Sequence, residues 1–255
     1  MIVKEPAPVF PVHIGRCVYC GRADAPLSDE HIIPLGLDGE WKLLKASCEE
    51  HSRVTSRFEL DVLRGALIVP RTAMRMRTRR PKERPTHLKV SLKAGTQDAS
   101  TILPVAEHPG FFALPVFAPP GNAPTDGPTP GIAPSTFKVI YRRPTTAKLR
   151  RDVKADTFGA PFPDLISFAR MIAKIGYCFA VARLGIDAVL EAPVVGAILG
   201  ADSLVGNFVG CIPDSAETKT EGVHQVALAW TDQEVRAYVR IFAALRAPEY
   251  LVLIR

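Results

Sequence analysis

The sequence predicts an α+β protein in which a small Cys/His-rich module precedes a larger domain with antiparallel strands. Cysteine and histidine cluster between residues 17 and 51, and apolar residues recur every four positions just after that cluster. Near the C-terminus, apolar and polar residues alternate as they do in half-buried strands. With 255 residues, 47% of them apolar, the chain can bury a large core without disulfides.

The first half of the chain contains one predicted helix and two predicted strands. The helix comes from "SCEEHSRVTSRFELDVLRGAL", where Val54, Phe58 and Val62 form one apolar stripe. Pro81 and Pro85 exclude a helix in the basic segment that follows. "HLKVSL" and "FFALPVF" are predicted strands, and the nine prolines and four glycines between residues 104 and 134 indicate a long loop or linker around the second strand.

The second half is predicted to begin with a strand, "TFKVIYRR", followed by the helix "FPDLISFARMIAKIGYCFAVARLG". Asp164 is its predicted N-cap and Gly185 lies near its end. "VHQVALAW", "EVRAYVRIFAAL" and "EYLVLIR" alternate like antiparallel strands. The predicted organisation is a module over 1–70, a basic connector and strand over 71–103, a Pro/Gly-rich loop or linker over 104–134, and an α+β domain over 135–255.

The net charge of +6 is concentrated in one segment. Residues 51–90 contain eleven Lys or Arg and three acidic residues, or +8, which leaves −2 for the rest of the chain. Such a segment is either a solvated basic loop, a surface for the phosphate backbone of nucleic acid, or a surface for a protein partner. Its position directly after the Cys/His cluster favours nucleic acid. The candidate contacts are Arg53, Arg57, Arg75, Arg77, Arg79, Arg80, Lys82 and Arg84.

Four residues of the cluster have the spacing of zinc ligands. Cys17 and Cys20 form one pair, with Gly21 allowing the chain to double back, and Cys48 and His51 form a second pair on one face of the predicted helix. Two correctly spaced pairs favour a tetrahedral structural zinc over ordinary buried thiols. The other two cysteines, at 178 and 211, lie alone in apolar surroundings and are predicted core residues.

Between the two pairs lies "DEHIIPLGLDGE", in which two acidic residues directly precede His31. The order CxxC, DEHIIP, a glycine-containing loop and a second ligand pair opening a helix resembles the HNH endonuclease family, with its ββα-metal fold. "ASCEEHSRVTSRFE" followed by "TRRPKERP" also resembles a less characterised group of bacterial and phage HNH-type proteins. The resemblance covers roughly residues 16 to 85 and does not extend to the C-terminal domain.

The resemblance implies an endonuclease that hydrolyses phosphodiester bonds of nucleic acid, most simply DNA. His31 would be the general base, and Glu30 would hold a catalytic Mg²⁺ or Mn²⁺, with Asp29 as the alternative carboxylate. Two metal sites are then implied, because oxygen ligands suit such a cation whereas the Cys/His set suits zinc.

Two positions depart from the family's pattern. Ser52 stands where HNH enzymes usually have the Asn or His that completes the catalytic metal site, and His51 replaces the commoner second cysteine. Glu59, on the same helical face as Ser52, could supply the missing carboxylate or could be a solvent-exposed or Arg-paired residue. His31 could equally hydrogen-bond the backbone. Two alternatives therefore stay open: a degenerate HNH-like module that binds nucleic acid or a partner without cleavage, and a structural zinc module in a protein that acts through its C-terminal domain.

The sequence also bears on cellular location. The first ten residues carry Lys4, Glu5 and two prolines, so no secretion signal is predicted. The apolar region over 175–213 is interrupted by charges and contains no uncharged span of the roughly 20 residues that a membrane helix needs. These features predict a cytoplasmic protein without a membrane segment.

Overall fold

The computed structural model describes residues 10–94, 97–126, 130–140, 157–159, 161–212 and 222–255. Helices and mainly antiparallel sheets occur together in these ranges, which confirms the predicted α+β class. The division into four segments is not tested by this fold and stays a prediction. The predicted strand "TFKVIYRR" is seen up to Ile140, and its last three residues lie outside the described ranges.

The N-terminal part is a three-stranded sheet followed by a helix. Its strands are β1 (Val12–His13), β2 (Leu27–His31) and β3 (Lys42–Cys48), in the order β1-β3-β2, with β2 antiparallel to β3. Helix α1 (Glu49–Arg64) begins directly after β3, and Phe58 and Val62 of its predicted stripe are buried. A short helix, α2 (Ile68–Ala73), follows. This arrangement confirms the predicted helix and places the "DEH" motif on a strand.

The middle of the chain forms two small antiparallel sheets. Strands β4 (His87–Ala94), β5 (Gln97–Pro104) and β8 (Thr157–Gly159) are ordered β5-β4-β8. Strands β6 (Phe112–Phe117) and β7 (Pro134–Ile140) pair with each other. Both predicted strands, "HLKVSL" and "FFALPVF", are confirmed.

The C-terminal part is built around one long helix. Helix α3 (Leu165–Leu184) starts at Asp164, whose side chain accepts a hydrogen bond from the Ser167 amide at 2.7 Å, as predicted for an N-cap. A short helix, α4 (Val194–Leu199), follows. Helix α3 packs on a four-stranded antiparallel sheet in the order β10-β11-β12-β9. These strands are β9 (Val209–Cys211), β10 (Gln225–Trp230), β11 (Val235–Arg240) and β12 (Tyr250–Leu253).

Helix α3 also contacts both the N-terminal and the C-terminal parts of the fold. It packs against α1 on one side and the C-terminal sheet on the other, and one hydrophobic core runs from Cys17 to Ile254. Among the described helices, α3 is long and apolar enough to cross a membrane by length and composition alone, yet 72% of its apolar window is buried inside the fold. That burial is typical of a core helix.

Candidate functional site

The four predicted zinc ligands converge at the junction of the N-terminal sheet and α1. Cys17 and Cys20 lie in a tight turn closed by a 2.8 Å hydrogen bond from the Gly21 amide to the Cys17 carbonyl oxygen. Gly21 has a φ of +72°, so glycine suits this reversal of the chain. Cys48 ends β3, and His51 lies in the first turn of α1.

The distances between the ligand atoms suit one tetrahedral metal ion. Nδ1 of His51 lies 3.4 Å from Sγ of Cys17 and 3.3 Å from Sγ of Cys48, and all four ligand atoms lie within 4.8 Å of one another. A zinc ion with Zn–S bonds of about 2.3 Å separates its sulfur ligands by roughly 3.8 Å. Burial raises the pKa of the Cys17 thiol to about 11, so binding a metal as the thiolate would release its proton. The predicted convergence is confirmed, and the cluster could hold a metal ion such as zinc.

Helix α3 packs against the Cys17–Cys20 turn of this cluster. The hydroxyl of Tyr177 donates a hydrogen bond to the carbonyl oxygen of Val18, inside the Cys17–Cys20 turn. The Tyr19 hydroxyl lies 3.6 Å from Sγ of Cys178. Cys178 and Cys211 are buried, as expected for core residues, and the Cys/His cluster of the described residues includes neither. The Cys17–Cys20 turn therefore packs on a helix that lies more than a hundred residues further along the chain.

Two of the predicted catalytic carboxylates meet around a lysine. Glu30 on β2 and Glu59 on α1 each place Oε1 2.8 Å from Nζ of Lys174 on α3. Lys174 is fully buried and also donates a hydrogen bond to the carbonyl oxygen of His31. The Glu59 contact is an ion pair without hydrogen-bond geometry. An ammonium group thus contacts the carboxylates that the resemblance assigns to a divalent cation.

The charges of this buried triad influence one another strongly. Burial acts to lower the pKa of Lys174, but the negative charges of Glu30 and Glu59 outweigh it and raise that pKa above its ordinary value. Burial raises the pKa of Glu59, against the opposing effect of Lys174. Lys174 is therefore charged at neutral pH, and it is the internal counter-ion of the two carboxylates.

His31 and Asp29 flank Glu30 on β2, but they differ in exposure to solvent. His31 is half-buried rather than open to solvent, and its Nε2 atom is buried without a hydrogen-bond partner in the described structure. Burial, Lys42 and Lys174 lower the pKa of His31 to about 4, so its imidazole is neutral at pH 7. Asp29 is exposed in an irregular part of the β2–β3 pairing, where Oδ1 accepts a hydrogen bond from the Lys45 amide at 3.2 Å. Asp29 makes no described contact with Lys174.

The predicted nucleic-acid contacts fall into two groups. Arg77 pairs with Glu40, Arg53 with Glu49 and Arg80 with Glu83, while Arg84 donates to the carbonyl oxygen of Met76. The second group is exposed, and its side chains make no hydrogen bond or ion pair within the described ranges: Arg57, Arg75, Arg79 and Lys82. Arg79 lies near enough to His31 and Glu59 to influence the pKa of both.

Sequence reasoning missed Arg71 and His224, which fix the loop between β2 and β3. Arg71 donates from Nε to the Gly36 carbonyl oxygen at 2.6 Å and from Nη1 to that of Leu63 at 2.7 Å. His224 contacts the carbonyl oxygen of Leu37 at 2.7 Å. Both residues lie far from the loop in sequence, so no local pattern could have indicated their role.

Comparisons of the chain with protein-family models, with curated proteins and with solved structures give no significant match.

Proposed function

We propose that residues 16–85 form an HNH-like zinc module that binds nucleic acid without hydrolysing it through a divalent cation. The observation that carries this proposal is the position of the Lys174 ammonium between Glu30 and Glu59. Carboxylates that already contact a buried ammonium are not free to hold Mg²⁺ against a phosphate. The oxygen ligands therefore do not fit a resident catalytic cation while α3 is packed in place.

The identity of the structural metal follows from the donor set. Three thiolates and one imidazole suit zinc better than Mg²⁺ or Mn²⁺, which prefer oxygen ligands. The metal would join the Cys17–Cys20 turn to the start of α1. Zinc then fixes the surface that carries the arginines of α1 and of the segment after α2.

The nucleic-acid surface is proposed to consist of four exposed cations that have no side-chain partner among the described residues: Arg57, Arg75, Arg79 and Lys82. Such cations can contact phosphates without first breaking an ion pair of the described structure. Such contacts release counter-ions and are insensitive to base sequence. DNA is the proposed partner, and a protein partner is the alternative for the same surface.

The test is the salt dependence of binding to a short DNA duplex, measured by fluorescence anisotropy. The change R75A/R79A/K82A should weaken binding and flatten the plot of log K against log salt by roughly 2 to 3, at about 0.9 per lost phosphate contact. The single changes R79A and R236A are a matched pair, since each removes one exposed arginine but Arg236 already pairs with Glu234. An unchanged slope in the triple variant would contradict the proposal and favour a protein partner.

Cleavage by the same module is the second candidate function, because His31 is neutral at pH 7, as a general base must be. Its pKa of about 4 also makes it a weak base, so cleavage ranks below binding. Nicking of supercoiled plasmid, with Mg²⁺, Mn²⁺ or EDTA, should be compared for the parent, H31A and H13A, since His13 is an exposed histidine on β1. Nicking lost in H31A but kept in H13A would establish a nuclease. If all three proteins nick the plasmid only at the same background level, cleavage is excluded and binding without cleavage stays the proposed function.

A further inference from the structure

We infer that Lys174 is the permanent cation of the Glu30–Glu59 pair, closing these oxygen ligands to divalent cations, and that removing its side chain creates a divalent-cation site. This inference deepens the proposed function, on which it rests for its role, because it explains why the module would act without a catalytic metal. Its test measures metal binding alone, so it can fail independently of nucleic-acid binding.

The first argument is the position of the ammonium among three oxygens. Oε1 of Glu30 and Oε1 of Glu59 each lie 2.8 Å from Nζ of Lys174, and the carbonyl oxygen of His31 accepts a hydrogen bond from it. The Glu59 contact is an ion pair. The oxygens come from β2 and α1, whereas the cation comes from α3. The oxygens therefore have their cation only when the C-terminal part is packed against the module.

The second argument is electrostatic. Both carboxylate oxygens contact the same atom, so they lie no farther apart than the sum of those two distances. Two like charges this close, with little solvent around them, repel strongly unless a cation lies between them. Lys174 supplies one positive charge, and a divalent ion would supply two. Once the ammonium is gone, the pair must either bind a replacement cation or take up a proton, and a divalent ion at millimolar concentration competes for the site.

The third argument is chemical fit. Carboxylate and carbonyl oxygens are the ligands that Mn²⁺ and Mg²⁺ prefer. Shortening Lys174 to alanine vacates the length of a lysine side chain inside the core, which leaves room for an ion and its waters. The Glu59 side chain is 17% exposed, whereas Lys174 is 0% exposed, so an ion would enter past Glu59. In the parent protein the ammonium fills this position.

The experiment measures Mn²⁺ binding to the full-length, zinc-loaded chain, using the electron paramagnetic resonance signal of free Mn²⁺. The parent should bind no Mn²⁺ that depends on Glu30 or Glu59, and K174A should bind one ion per chain. K174A should also melt at a higher temperature with MnCl₂ than without it. K82A is the control, because Lys82 is exposed and its loss should leave Mn²⁺ binding at the parent level.

Two further variants keep the inference falsifiable if K174A is unstable. K174M/E30Q/E59Q removes all three charges, so it should fold without Mn²⁺ and bind none. E59Q retains the Lys174–Glu30 pair and should match the parent. A folded K174A that binds no Mn²⁺ would overturn the inference. Mn²⁺ binding by the parent that is lost in E59Q would overturn it equally, because the lysine would then not exclude the ion.

Discussion

Tyr177 on α3 donates a hydrogen bond to the carbonyl oxygen of Val18, which lies between Cys17 and Cys20 of the candidate metal site. Both partners are buried, so the bond is made inside the core rather than at the surface. Tyr19, the next residue in the turn, packs against the Tyr177 ring with centroids 6.0 Å apart. The Cys17–Cys20 turn is therefore held in place by α3.

Replacing Tyr177 with phenylalanine should destabilise the protein by about 1–3 kcal/mol, because the buried carbonyl oxygen of Val18 loses its donor. Urea denaturation of the zinc-loaded chain measures this change. The midpoint should fall while zinc content stays at the parent level, since no metal ligand is altered. Y238F is the control, because Tyr238 is only half-buried on β11, and it should change stability by less than about 0.5 kcal/mol. Equal effects of Y177F and Y238F would contradict this role.

The metal cluster could be predicted from sequence because its information is local. The CxxC spacing and the i, i+3 spacing of Cys48 and His51 each fix a pair of ligands on one turn. The apolar repeat around Phe58 likewise fixed one face of α1. Strand β1, by contrast, has only two residues, too few for a sequence pattern, and it forms by pairing with the edge of β3.

The buried triad could not be predicted, since its three side chains come from separate elements. The sequence leaves Glu59 open between a carboxylate beside Glu30 and a solvent-exposed or Arg-paired residue. A helical pattern cannot tell which distant side chain will contact it. Lys174 did leave a signal: it is a charged residue in the middle of an apolar helix, and buried lysines are rare unless paired. A lysine in such a position predicts an acidic partner, but the sequence does not identify which residue it is.

Gly176 lies where α3 packs closely against the C-terminal sheet. A Cβ added there would lie 2.9 Å from Cβ of Ala237 and 3.1 Å from Cβ of Val252. G176A should therefore destabilise the protein by about 1–3 kcal/mol through overpacking, although alanine is the better helix former. Chemical denaturation measures this change.

Gly196 in α4 is the matched control for Gly176. Outside the backbone of α4, the nearest atom to its added Cβ would be Cβ of Asp202, at 3.8 Å. G196A should be neutral or stabilising by up to about 1 kcal/mol, because only the helix propensity changes. If both variants lose the same stability, close packing is not the reason for glycine at 176.

Cys48 connects the metal cluster to the first turn of α1. C48S should reduce bound zinc from one ion per chain to none and lower the melting temperature, because a hydroxyl is a much weaker zinc ligand than a thiolate. Zinc is measured by plasma emission spectroscopy after gel filtration. C211A is the control: Cys211 is buried outside the cluster, so that variant should retain its zinc. Full zinc content in C48S would contradict the four-ligand site.

His224 should make the stability of the fold sensitive to acid. The Phe242 amide donates to Nδ1 at 3.2 Å, so Nε2 carries the proton and donates to the Leu37 carbonyl oxygen at 2.7 Å. Burial lowers the pKa of His224 below its ordinary value of 6.5. The unfolded chain therefore binds the proton more readily, and the stabilisation present above pH 6.5 is lost as the pH falls below it. Protonation of Nδ1 would also break the bond from Phe242.

The variant H224Q tests this dependence, because glutamine keeps a polar side chain that does not titrate. Urea denaturation at a series of pH values from 8 to 5 should show parent stability falling more steeply than that of H224Q. At pH 8 the histidine is neutral in both the folded and unfolded states, so the difference in unfolding free energy between parent and H224Q measures only the lost packing and hydrogen bonds. This difference should narrow toward pH 5, because the parent loses the stabilisation by neutral His224, which the variant lacks at every pH. Parallel curves across that range would mean that His224 does not link the Leu37 loop to pH.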